Sequence, residues 1–155
     1  MEYRQLIPIA LAIALAACTP GAVAPPRNAG QVASAVTVKV SLINYPDMGS
    51  RYGMIGGYSP ALVVVARGTV VQFQNQDGFN HTASSISGSS FPGGAPIPFS
   101  AQTPSGADVA QPGWSTGTLT AGAYSRPFTT SAAGQYLFGC FYHYPSGMRG
   151  VIVVQ

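Results

Sequence analysis

The stretch Gly134-Gln135-Tyr136-Leu137-Phe138-Gly139-Cys140-Phe141-Tyr142-His143-Tyr144-Pro145-Ser146-Gly147-Met148-Arg149-Gly150-Val151-Ile152-Val153-Val154 decides how the chain is read. Two strand-like runs, Gln135 to Cys140 and Gly150 to Val154, flank a short segment punctuated by Pro145, Ser146 and Gly147. Aromatic and β-branched side chains suit a pleated, half-buried surface, and Pro-Ser-Gly suits a turn. The predicted unit is two strands joined by a tight loop at one end of a sheet. Cys140, His143 and Met148 all belong to that loop.

The same strand signals recur toward the N-terminus. Val36 to Leu42 alternates with a period of two, Ala61 to Ala66 is a short apolar run, and Thr69 to Phe73 follows Arg67-Gly68. Ala123 to Thr129 reads as a further strand. No segment of useful length carries a 3.6-residue pattern. With 19 Gly and 13 Pro available for turns, the predicted fold is an all-β sandwich of short strands. Ser84 to Thr116 departs from this pattern. It is rich in Ser, Gly, Pro and Ala and weakly apolar, and a structureless loop of that length is unusual in a compact domain. It is expected to be an insertion carrying a strand or a helical turn, with no residue pattern that chooses between them.

The first residues read differently again. Leu6 to Ala17 is an apolar run too short for a permanent membrane span, which suits the core of an export signal. Leu15-Ala16-Ala17-Cys18 resembles the bacterial lipoprotein signal, and that resemblance implies cleavage before Cys18 and lipid on the new terminus. An ordinary export signal cut nearby, or an uncleaved anchor, is the alternative. Thr19 to Ala35, without periodicity, reads as a flexible tether. The expected organisation is a signal peptide over 1–17, a tether over 18–35 and a folded domain over 36–155. The expected location is the bacterial cell envelope, with the domain outside the cytoplasm and lipid-anchored to a membrane.

Charged residues make up 7% of the chain, and its net charge of +3 is scattered singly, which gives nucleic-acid binding no support. Beyond the leader the carboxylates are only Asp47, Asp77 and Asp108, which gives a carboxylate pair for acid–base catalysis little support. Of the two cysteines, Cys18 sits in the processing signal. If it is acylated, Cys140 has no disulfide partner, and a lone thiol in an oxidising compartment calls for another role. His143 lies three residues after that thiol and Met148 five beyond it. Thiolate, imidazole and thioether together suit copper in both oxidation states, and His81 would supply a second imidazole. Taken singly, His81 could be a turn residue, Cys140 an inert core thiol and Met148 core filler. Met48 and Met54 read as packing or loop residues.

The run Cys140-x-x-His143-x-x-x-x-Met148 resembles the metal loop of small blue-copper proteins, the plastocyanin and pseudoazurin type of cupredoxin. Phe73-x-Asn75-x-Asp77 followed by His81-Thr82 is similar to the strand and turn that bring in that family's first histidine ligand. Leu119-x-x-Gly122, Phe128 and Gly134-x-Tyr136-x-x-x-Cys140 resemble the entry to the loop, and Gly150-x-Ile152-x-Val154 the closing strand. Thr82 stands where plastocyanin-like members often have Asn, and its hydroxyl can still bridge to the ligand loop. The resemblance implies a cupredoxin-like Greek-key sandwich holding one type 1 copper on His81, Cys140, His143 and Met148. It also implies single-electron exchange with transient redox partner proteins, with His143 near the surface. Tyr142 and Tyr144 are expected docking residues, since aromatics are enriched at interfaces. Oxidases and nitrite reductases need further copper centres, and both histidines are already used, so no enzymatic activity is expected. An extracytoplasmic copper chaperone or scavenger and a metal-free adhesive sandwich are the rival readings.

Overall fold

The computed structural model describes residues 34–155. Nine strands run in chain order: β1 Ala35–Val40, β2 Met48–Ser50, β3 Gly53–Ile55, β4 Tyr58–Ser59, β5 Leu62–Val65, β6 Val70–Asn75, β7 Ser84–Ile86, β8 Gly134–Gly139 and β9 Arg149–Val154. Residues 1–33, including Cys18 and nearly all of the expected tether, lie outside the described residues. There is no α-helix among the described residues; two short 3-10 turns, Phe99–Gln102 and Tyr144–Ser146, are the helical content.

The strands form a β-sandwich. One sheet has the order β4-β1-β6 and the other β5-β9-β8-β7, with β2-β3 as a separate hairpin. Alternation decides which side chains enter the core: on β6, Val71, Phe73 and Asn75 point inward while Val70, Gln72 and Gln74 are half-buried. β1 pairs in parallel with β6 from Ala35–Val70 to Val40–Asn75. β9 is central in its sheet, parallel to β5 and antiparallel to β8, and its residues 150–154 are buried throughout. Phe73 of one sheet meets Phe138 of the other edge to face, with ring centres 5.4 Å apart, and Tyr58 meets Phe138 at 4.8 Å.

One expectation is corrected and another narrowed. Ala123 to Thr129 runs antiparallel along β6 but as isolated bridges, Gln74–Tyr124 and Val71–Phe128. The register slips by one residue between them, and the bulge holds Pro127, which has no N–H to donate. Of the two alternatives for Met48 and Met54, packing is excluded: both face solvent, on the short β2-β3 hairpin.

The stretch Ser84 to Thr116 carries both kinds of local structure, the strand β7 and the turn Phe99–Gln102. It is also bound into the core. Trp114 is 1% exposed and lies against Phe73, Phe128 and Phe138 at 6.0, 5.0 and 6.1 Å between ring centres. Asp108 fixes its far end by accepting hydrogen bonds from the Ala110 N–H at 2.8 Å and the Thr129 hydroxyl at 2.7 Å. Burial opposes the charge on Asp108, but the hydrogen bonds from Ser131, Ala110 and Thr129 outweigh it and hold the carboxyl below its usual pKa. A depressed pKa gives stability that is present above the unfolded-state value and is lost as pH falls through the folded one. Unfolding measured against pH should therefore show this contribution intact at neutrality and fading below about pH 4. Asp108→Asn should cost about 1–3 kcal/mol at pH 7 and remove that part of the acid dependence.

Candidate metal centre

β8 delivers Cys140 to the end of the sandwich, and β9 carries the chain back from Met148. The Cys140 N–H donates to the Met148 carbonyl at 3.1 Å, which pinches the loop at its base. Within it, the Ser146 and Met148 N–H groups both reach the His143 carbonyl, at 3.0 and 3.3 Å. Gly147 takes a left-handed conformation with φ +91°. A Cβ there would collide with the Asp47 carboxylate, so the turn needs glycine on two counts.

Tyr144 anchors the loop from inside. It is 0% exposed, its hydroxyl donates to the Pro92 carbonyl at 2.7 Å, and the Arg149 guanidinium lies 4.4 Å over its ring. The expected docking role of Tyr144 is therefore wrong: the 3-10 turn rotates the ring into the core. Tyr142 is half-buried, with its hydroxyl 2.8 Å from both Gln102 Oε1 and Thr118 Oγ1.

His81 arrives from the turn after β6 and is fixed by paired backbone hydrogen bonds with Leu119, at 3.1 and 2.8 Å. Next to it, Thr82 ties the two halves of the site together. Its N–H donates to Cys140 Sγ at 3.4 Å, and its hydroxyl accepts from the Phe141 N–H at 2.8 Å. The bridging expected of this threonine is present.

Three donor atoms converge. Cys140 Sγ lies 3.7 Å from His81 Nδ1 and 3.7 Å from His143 Nδ1, and the two Nδ1 atoms are 3.2 Å apart. The circumradius of that triangle is about 2.1 Å, inside the roughly 2.0–2.3 Å of first-row metal bonds to imidazole and thiolate. The groups are also in the right state for a metal. Burial, and for His143 the nearby His81, lower both histidine pKa values, which favours the neutral rings whose lone pairs a metal needs. Burial raises the Cys140 thiol, against hydrogen bonds from the Thr82, His143 and Tyr142 backbone; a bound cation would favour its thiolate. A soft sulfur with two imidazoles in a water-poor site suits copper.

Met148 is 0% exposed and packs on Gly57. Gly57 has φ +71°, and a Cβ there would lie 2.5 Å from Met148 Cγ. Gly57→Ala should cost about 1–3 kcal/mol from overpacking and left-handed strain, read by denaturant unfolding, and should shift the visible spectrum of the copper-loaded protein by displacing Met148.

Residues 48–155 match the family model described as copper binding proteins of the plastocyanin/azurin family. The chain belongs to that family. Its cofactor is one type 1 copper ion. Among solved structures, this cupredoxin is similar to a purple cupredoxin from Nitrosopumilus maritimus, at 20% identity over 77% of this chain and 98% of that one, with a TM-score of 0.47. It is similar to auracyanin B at 22% identity over 79% and 89%, with a TM-score of 0.48. It is also similar to an oxidized amicyanin variant at 17% identity over 81% and 87%, with a TM-score of 0.49. No curated protein sequence matches the chain.

Several residues around this cupredoxin site gave no sequence signal of their role. Phe79 lies 4.9 Å from the His81 ring and 5.3 Å from the His143 ring, centre to centre. Gln102 holds Tyr142 from within the long insertion. Gly57 would have been recognisable only from a contact with Met148 that spans most of the chain.

Proposed function

We propose that this cupredoxin carries single electrons between redox proteins at a membrane surface, with copper held by His81, Cys140, His143 and Met148. The observation that carries the proposal is the triangle of one buried thiol and two Nδ1 atoms at metal-binding separations. Copper supplies a one-electron couple when bound. The chain's residues supply rigidity: Thr82, Leu119 and the pinched loop hold the three donors from separate elements. With the Met148 sulfur as the proposed fourth donor beside the converging thiol and two imidazoles, no position would be left for a substrate, and both histidines of the chain would be used. A carrier fits these facts better than an enzyme.

His143 is half-buried and is the more exposed of the two histidines, so it is the proposed exit for the electron. Tyr142, beside it and half-exposed, is the proposed docking residue; Tyr142→Ala is expected to slow exchange with a partner and leave the visible spectrum unchanged. Phe79, 38% exposed, and Phe141 complete an apolar rim suited to a small, transient interface. Lipid on Cys18 is the proposed membrane anchor. Full-length protein should then partition with membranes and Cys18→Ser should not.

Copper titration of the folded protein tests the main reading. Intense visible absorption that bleaches reversibly on reduction supports the carrier. Colourless binding of Cu(I) alone would favour a chaperone or scavenger, and no copper uptake would sink both.

A further inference from the structure

Asp77 lies on the side of His81 away from the donor triangle. Its side chain is 1% exposed, and its Oδ2 is 2.8 Å from His81 Nε2. Because His81 turns Nδ1 toward Cys140 and His143, its Nε2 must carry the ring proton and donate to Asp77. The carboxylate is held from behind as well. The Ser41 hydroxyl donates to Oδ1 at 2.5 Å and the Leu42 N–H to Oδ2 at 2.7 Å. The Asp77 N–H itself donates to Asn75 Oδ1 at 2.9 Å, which fixes the start of the turn. Asp77 thus meets three donors, the arrangement of an ionised carboxylate rather than an acid seeking an acceptor.

A backbone carbonyl would serve equally well to orient the ring. A buried carboxylate adds a full negative charge, and that charge acts unequally on the two states of the metal. A divalent ion bound to one thiolate leaves one positive charge uncompensated in a region of low dielectric. Asp77 cancels that charge in the oxidised protein and is a surplus in the reduced one.

Resting on the copper reading above, we propose that Asp77 is a positioning residue that sets the reduction potential of this site, holding it lower than a neutral partner would through its hydrogen bond from His81. Ser41 moderates the effect by drawing charge from the far oxygen.

The test uses the full-length protein loaded with copper and reads the potential, the affinity for each oxidation state and copper-free stability. Asp77→Asn keeps the shape and an acceptor but removes the charge. Cu(II) affinity is expected to fall about 10–100-fold and Cu(I) affinity by less. Each tenfold difference between the two losses raises the potential by about 59 mV. Ser41→Ala, which returns charge to the carboxylate, is expected to move the potential the opposite way, and it carries the test alone if Asp77→Asn does not fold. If these variants lose only copper-free stability and leave the potential unmoved, or if both move it in the same direction, Asp77 is purely structural and the inference is overturned. Wild-type protein that takes no copper overturns the functional reading and this inference with it; wild-type protein that turns blue with unresponsive variants overturns this inference alone.

Discussion

Cys140→Ser is expected to abolish the intense visible absorption of the copper-loaded protein and its one-electron exchange while leaving the sandwich folded. The thiol is 0% exposed, and its sulfur lies 3.7 Å from each histidine Nδ1. Serine offers a hard oxygen whose ionisation is far out of reach near neutrality, where thiolate is the soft donor that copper selects. The loss of copper affinity should exceed the roughly 10–100-fold that follows from removing an outer-shell partner. The fold should survive, since the Thr82 N–H that points at the sulfur can reach a hydroxyl oxygen, and the penalty for the buried hydroxyl is about 1–3 kcal/mol. Visible absorption, copper competition titration and far-ultraviolet circular dichroism on the same sample check the three parts.

Trp114→Ala is expected to be the most destabilising core change. Trp114 stacks on Phe73 with an interplanar angle of 25°, tilts against Phe128 and Phe138, and is the largest fully buried side chain among the described residues. Its removal should cost about 3–5 kcal/mol, a large part of the roughly 5–15 kcal/mol that holds a domain folded. Denaturant unfolding should show the midpoint fall with little change of slope. Trp114→Phe should cost less, because a ring remains and the indole N–H has no hydrogen-bond partner among the described residues to lose. A small effect of Trp114→Ala would mean that the long insertion is an ornament on the sandwich rather than part of its core.

That result bears on which parts of the structure were legible in advance. Val36 to Leu42 and Thr69 to Phe73 were readable because inward and outward residues alternate along each, and Gln135 to Cys140 because it carries Tyr136 and Phe138; the observed β1, β6 and β8 fall within two residues of those bounds. Ala123 to Thr129 misled because Pro127 interrupts its ladder with β6. Tyr144 misled in the other direction. Its neighbours and its place beside His143 suggest a surface, yet the 3-10 turn over Tyr144–Ser146 points the ring inward to Pro92 and Arg149. In the insertion, the chain's single Trp was the available clue to a core role, since so large an apolar side chain is costly to leave in water.

By itself, the sequence determined the all-β class and the order of the donors along the chain. Period-two alternation and the chemistry of sulfur and imidazole are local properties of residue type and spacing. Tertiary structure alone decided that His81, 59 residues before Cys140, lies 3.7 Å from its sulfur, and that Asp77 stands behind it. It also decided that residues 84–116 are fastened to the core through Trp114. These outcomes depend on contacts between distant segments, made where the two sheets bury a shared apolar face, and no local pattern states which segments will meet there.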